Sequence, residues 1–140
     1  MRSEIYKDEG YRLMAAAFEV YNVRGYGLGE EIYQECMELE LGSRGIPFSP
    51  KRELACFYKG HELAKRYVPD LFVFGNIIAE LKAVRPLLPE HEAQLVNYLR
   101  LTRQPVGYLI NFGNGTELQW KRIIFSEFIG VQELAPISEN

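Results

Sequence analysis

Three residues in one short stretch have types and spacing that could do chemistry: Asp70, Glu80 and Lys82, within Pro69-Asp70-Leu71-Phe72-Val73-Phe74-Gly75-Asn76-Ile77-Ile78-Ala79-Glu80-Leu81-Lys82. Two apolar runs, Leu71 to Phe74 and Ile77 to Ala79, flank Gly75-Asn76, a pattern that predicts a β-hairpin turning at those two residues. Side chains alternate along a strand, so Glu80 and Lys82 share a face with Ile78, and Leu81 points the other way. Asp70 falls on the partner strand, and neighbouring strands lie about 4.8 Å apart. Two carboxylates so placed can converge on one divalent cation such as Mg²⁺, which takes oxygen ligands and is commonly held by one or two carboxylates plus waters. A lysine beside that ion can orient or deprotonate a water, or stabilise developing negative charge. The same residues could also be an ordinary surface ion pair with an acidic neighbour, so the elements around them matter.

The chain before this stretch reads as two helices. From about Asp8 to Arg24, Leu13, Ala16, Ala17, Val20 and Tyr21 recur at three- and four-residue spacing, one buried stripe, and Gly25 stops the helix. A second helix is expected from about Gly29 to Leu41. There Glu31, Glu35 and Glu38 form a solvated face, whereas Glu30 heads the apolar row of Tyr33, Met37 and Leu41. Helix-dipole stabilisation alone explains a glutamate in a first turn, but its inward row makes Glu30 a site candidate. Residues from about Ser49 to Phe74 read as two long strands turning at Tyr58-Lys59-Gly60-His61. Lys51, Arg52, Lys59, Lys65 and Arg66 give this portion its positive charge, which solvates a hairpin or meets phosphates.

Beyond Lys82, Pro86 and Pro89 break the strand, and a third helix is expected from about Pro89 to Arg103. Leu95, Val96 and Leu99 make its buried side; His91, Gln94, Tyr98 and Leu101 make an adjacent row. Val106 to Phe112 is a nearly continuous apolar strand of the kind covered on both faces. Gly113-Asn114-Gly115 turns the chain into a last strand from Leu118 to Phe125. Together these predict an α/β domain spanning 1–140, with a three-stranded meander in one mixed sheet and loose ends at 1–7 and 130–140.

Composition excludes several classes. At 140 residues, 47% hydrophobic and 25% charged, the chain fits one globular domain. No apolar run approaches the ~20 residues of a membrane span, and the first residues lack a signal pattern, so a cytoplasmic location is expected. Cys36 and Cys56 have no paired spacing and read as reduced core thiols; His61 and His91 are too scattered for zinc. Gly25-Tyr26-Gly27-Leu28-Gly29 is followed by no Lys-Ser or Lys-Thr, which argues against a phosphate loop. A net charge of −3 argues against a broadly basic nucleic-acid surface.

Gly27-Leu28-Gly29-Glu30-Glu31-Ile32-Tyr33 resembles the signature of the GxxExxY proteins. Pro69-Asp70, Glu80-Leu81-Lys82-Ala83-Val84, His91 to Leu99 and Pro105 to Gly113 are also similar to that family, so the likeness runs from about Leu13 to about Phe125. The family in turn resembles the PD-(D/E)XK nucleases. The resemblance implies a restriction-endonuclease-like core, a mixed central sheet flanked by helices. It also implies a nuclease hydrolysing phosphodiester bonds of DNA or RNA with Mg²⁺ or Mn²⁺. Asp70, Glu80 and Glu30 would be the metal ligands, with the Leu81 carbonyl a further oxygen, and Lys82 the catalytic lysine. Gln94 and Tyr98 resemble a QxxxY motif that places the glutamine beside that lysine, and Tyr33, His91 and Tyr98 become candidates for substrate contact. A second copy of the chain, as a homodimer, would help hold a duplex. The alternative is a nuclease-like fold without turnover that binds nucleic acid or protein.

Overall fold

The structure is a computed structural model and describes residues 5–130. Its elements are helices α1 (Lys7–Arg24) and α2 (Glu30–Ser43), strands β1 (Phe48–Pro50), β2 (Leu54–Tyr58), β3 (His61–Tyr67), β4 (Leu71–Val73) and β5 (Ile77–Lys82), helix α3 (Pro89–Thr102), strands β6 (Val106–Asn111) and β7 (Gln119–Ile124), and a 3-10 turn at Ser126–Phe128. Five strands make one sheet in the order β1-β4-β5-β6-β7, while β2 and β3 pair separately. Only β5 and β6 run parallel within the five-stranded sheet; its other neighbours are antiparallel. A parallel pair needs a crossover, which α3 supplies.

Alternation along β4, β5 and β6 divides the core in two. Leu71, Val73, Ala79, Leu81, Tyr108 and Ile110 face α1 and α2, meeting Leu13, Ala17, Tyr33 and Met37. Phe72, Ile78 and Leu109 face the other way, against Leu95 and Leu99 of α3 and Leu54, Cys56 and Tyr67 of the β2–β3 hairpin. With helices on both sides, every residue of β6 is buried, as its unbroken apolar run implies. Gly107 lets α3 approach closely: a Cβ there would stand 3.1 Å from Leu99 and 3.2 Å from Leu95.

The mixed α/β architecture, the three helices and the buried strand agree with the sequence, and both cysteines are free thiols, Cys56 buried and Cys36 half-buried. The region 49–74 does not. The first expected strand breaks after Pro50, where Lys51 adopts φ +57, and the second breaks at Val68-Pro69-Asp70. The expected meander is therefore replaced: β3 does not continue beside β4, and β1 takes that place through Phe48–Val73 and Pro50–Leu71 pairing. The hairpin turn also shifts by one residue. Phe74 (φ +58) and Gly75 (φ +73) occupy its centre, and the Asn76 N–H donates to the Val73 carbonyl at 3.1 Å. Positive φ at both central positions matches the twist of tight hairpins, so β4 ends at Val73. The expected loose ends 1–7 and 130–140 lie mostly outside the described residues. Within them, Ile5 and Tyr6 pack against the core and Lys7 opens α1, so the core reaches further toward the N-terminus than the sequence suggested.

Candidate active site

Pairing places Asp70 and Glu80 together. Leu71 is opposite Ala79, so Asp70, one residue before β4, stands at the register position of Glu80. Because β4 begins only at Leu71, the Leu81 N–H lacks a backbone partner from that strand. The Asp70 carboxylate takes the role, its Oδ2 accepting from Leu81 N–H at 2.7 Å. In return the Asp70 N–H donates to the Glu80 carboxylate. This reciprocal pair fixes both acids at the end of the sheet, where α2 also begins. Gln34 of α2 ties the corner down by donating from Nε2 to the Asp70 carbonyl at 2.9 Å. A cleft of about 340 Å³ opens there, lined by Glu30, Glu31, Gln34, Lys51, Asp70 and Leu81.

The electrostatics are unusual at Glu80. Burial pushes its carboxyl up from 4.5 to about 7, against the lowering influence of Lys82, the Asp70 N–H and Lys51, and Glu30 adds a further upward push. Of the expected residues Glu30 and Asp70 line the cleft, whereas Glu80 and Lys82 stand behind it on β5 and do not. A buried carboxylate so displaced beside a cleft is a common mark of a functional site. The Lys82 ammonium acts on Glu80 through space. It makes no ion pair within 4 Å among the described residues, so the two are not locked together. Lys51 Nζ is 3.5 Å from Asp70 Oδ1 and largely exposed.

The model of the PD-(D/E)XK nuclease superfamily matches residues 7–123. The chain belongs to this superfamily. Its members generally use divalent metal ions, and the mixed sheet flanked by helices fits their restriction-endonuclease-like fold. The fold is also similar to a solved structure, SSO0001, with a TM-score of 0.53 and 17% identity, covering 94% of this chain and 66% of that one. No curated protein matches the chain.

The residues expected to form the motif, Asp70 with Glu80-Leu81-Lys82, offer donors that suit a hard cation: carboxylate oxygens, no thiol and no imidazole. Among the described residues no three His, Cys, Asp or Glu side chains already converge on a single point. The reason is visible in the bonding. Asp70 uses one oxygen for Leu81 and the other for Lys51, and Glu80 turns to the Asp70 N–H. A Mg²⁺-like ion needs only one or two carboxylates beside its waters, so the residues fit such an ion.

The remaining expected residues divide. Glu30 is brought to the cleft, but as an exposed side chain rather than a member of the buried row below it. Tyr33 is fully buried: its hydroxyl donates to the Gly25 carbonyl at 2.5 Å and its ring stacks on Phe112. It therefore supports the loop before Glu30, which corrects the expectation that it touches substrate. His91 caps its own helix, Nδ1 accepting from the Leu88 N–H at 3.0 Å. Tyr98 stacks on Tyr67 with ring centroids 3.9 Å apart, just before Pro69-Asp70 in the chain. Gln94, exposed one turn before Tyr98, does not line the cleft.

Four contributors were not expected at the site, the first being Glu31, which the helix pattern put on a solvated face and which lines the cleft. Gln34 had a signal, since it lies one helical turn beyond Glu30. Lys51 was marked only as one of five basic residues of its segment, because only the β1–β4 pairing carries it to Asp70. Asn111, fully buried, holds the segment after Lys82: Oδ1 accepts from Val84 N–H at 2.9 Å and Gly113 N–H at 3.0 Å, and Nδ2 donates to the Val84 carbonyl at 2.8 Å. A separate cavity of about 600 Å³ between α1 and β7 lies away from these residues and is lined mainly by aromatic and aliphatic side chains such as Tyr11, Met14, Phe18 and Trp120.

Proposed function

We propose that this PD-(D/E)XK protein is a Mg²⁺- or Mn²⁺-dependent nuclease that hydrolyses phosphodiester bonds at the Asp70 cleft. The observation that carries the reading is the coupled pair Asp70–Glu80, bonded through each other's backbone, with Asp70 lining an open, acidic cleft and Glu80 buried beside it. Asp70 and Glu80, with Glu30 across the cleft, would hold the ion. When bound, the ion supplies charge neutralisation at the phosphate and lowers the pKa of a coordinated water. Lys82, on the Glu80 face of β5, orients the attacking water or stabilises the charge that develops on phosphate oxygens. Gln94, exposed on α3 outside the cleft lining, would meet only substrate that extends beyond the cleft. The Gly27-Glu30-Tyr33 signature supports placing the chain in the GxxExxY branch, where Tyr33 and Gly25 set the loop that presents Glu30.

A second reading is a nucleic-acid-binding or protein-binding module without turnover. The observation in its favour is that both Asp70 oxygens already have partners within the chain. Titration with Mn²⁺ separates the two. The nuclease reading expects saturable heat and a raised melting temperature, because a ligand of the folded state stabilises by mass action. Neither would appear for a module whose carboxylates are committed to Leu81 and Lys51.

A further inference from the structure

The charge of this chain is unevenly distributed. Residues 51–66 contain Lys51, Arg52, Lys59, Lys65 and Arg66 against Glu53 and Glu62, which is +5 − 2 = +3, in a chain of net −3. The remainder therefore carries −6. This positive segment contains β2 and most of β3, which pair with each other outside the main sheet. The hairpin is anchored at its root, where Leu54, Cys56 and Tyr67 pack against Leu95 and Leu99 of α3. Its outer part is in solvent: Tyr58, Lys59, Gly60, His61, Glu62, Ala64, Lys65 and Arg66 are all exposed. The tip is a tight turn with positive φ at Lys59 (+49) and Gly60 (+80), which keeps the strands twisted and close.

We infer that the β2–β3 hairpin is a nucleic-acid-binding arm that leads a phosphodiester backbone into the Asp70 cleft; its destination rests on the nuclease reading above. Both legs of the hairpin end at the cleft. Lys51, three residues before β2, lies 3.5 Å from Asp70 Oδ1, and Tyr67 at the end of β3 is followed by Val68-Pro69 and then Asp70 itself. The seven residues of β3 span about 20 Å at ~3.3 Å each. At about 3.4 Å per nucleotide along one strand, that length faces about six phosphates. An ammonium-rich arm next to an acidic cleft solves a specific problem for an acidic nuclease: the polyanion is attracted beside the metal seat rather than onto it. Tyr58 at the tip, 61% exposed with the Lys59 ammonium over its ring, offers a stacking surface for an unpaired base.

The test is binding of fluorescein-labelled single-stranded and duplex DNA by the full chain in chelator, measured from 50 to 200 mM salt. The compared variants are Lys59→Gln/Lys65→Gln and the control Lys121→Gln, which removes an exposed lysine on β7. Arg66 is left intact because it is paired with Glu62 at 2.6 Å. If each arm lysine meets one phosphate, the slope of log affinity on log salt falls by about 1.4 on single strands or about 1.8 on duplex. The same rise in salt then costs the double variant about 10-fold less affinity than wild type, while the control matches wild type. An unchanged slope, a control that behaves like the arm variant, or no binding by wild type overturns the inference. Cleavage of bis(p-nitrophenyl) phosphate with Mn²⁺ reports on the nuclease reading separately. Activity with an unchanged slope rejects the arm alone, and a changed slope with no cleavage of this ester or DNA rejects the nuclease while retaining the arm.

Discussion

Replacing Glu80 by glutamine removes a charge that the folded chain resists carrying, so the variant should be more stable than wild type at alkaline pH. Burial raises the Glu80 carboxyl from 4.5 to about 7. Between those values the folded chain keeps the proton and the unfolded chain has released it, so wild-type stability falls as pH rises. Above 7 both states are ionised and the difference is constant. A displacement of about 2.5 pH units at about 1.4 kcal/mol each is roughly 3 kcal/mol. Glutamine can still accept the Asp70 N–H and carries no charge, so it behaves as a permanently protonated Glu80. Chemical denaturation in chelator at pH 5, 6, 7 and 8 should give a gap that grows from about 1 kcal/mol at pH 5 to about 3 kcal/mol at pH 8, the latter equivalent to a melting-temperature gain on the order of 10 °C. Saturating Mn²⁺ should narrow the gap, because the ion stabilises wild type more than the variant. Equal or lower stability of Glu80→Gln at pH 8 would refute the reasoning. Lys82 and the Asp70 N–H would then stabilise the carboxylate by more than burial costs, making Glu80 part of a structural ion network.

Other perturbations have distinct signatures. Lys51→Ala removes an ammonium 3.5 Å from Asp70 Oδ1, and calorimetry should show Mn²⁺ binding tightened by roughly two- to fivefold, the range of an exposed ion pair. Lys82→Ala should leave Mn²⁺ affinity unchanged or slightly raised but slow single-turnover cleavage by about 10²–10³, the typical loss of one transition-state stabiliser. Comparable metal loss in Lys82→Ala and Glu80→Gln would instead make Lys82 a support of the fold. Asn111→Ala strands the buried amide partners of Val84 and Gly113, and urea denaturation should show a loss of about 2–4 kcal/mol.

Much of this arrangement is legible in the residues. The apolar rows of α1 and α2, the unbroken run of β6 and the alternation that separates Glu80 from Leu81 all follow from local periodicity, and each is found. What periodicity cannot show is which strand lies beside which. Val68-Pro69 and the positive φ of Lys51 cut two apparent strands into four, and only the folded sheet reveals that β1 sits beside β4. Lys51 entered the cleft by that route, without any signature of its own. Tyr33 shows the opposite error. Its place in a functional signature suggested contact with substrate, but its burial and the bond to Gly25 make it a support for the loop. Within the candidate site, sequence spacing brought Asp70 and Glu80 to one register position, but it did not show their reciprocal bonding or that Glu80 and Lys82 stand outside the cleft lining.

Cleavage itself decides the central claim. Labelled single- and double-stranded DNA and RNA are incubated with wild type or Asp70→Asn in Mg²⁺, in Mn²⁺ or in chelator, and the products are sized on a denaturing gel. The asparagine variant can keep the bond from Leu81 N–H through its amide oxygen, so its fold is checked by circular dichroism and its loss of charge at the cleft is isolated. The account predicts metal-dependent cleavage by wild type on at least one substrate, none in chelator, and loss by at least about 10² in Asp70→Asn. Cleavage that persists undiminished in folded Asp70→Asn, or no cleavage of any substrate by wild type that binds Mn²⁺, would contradict it.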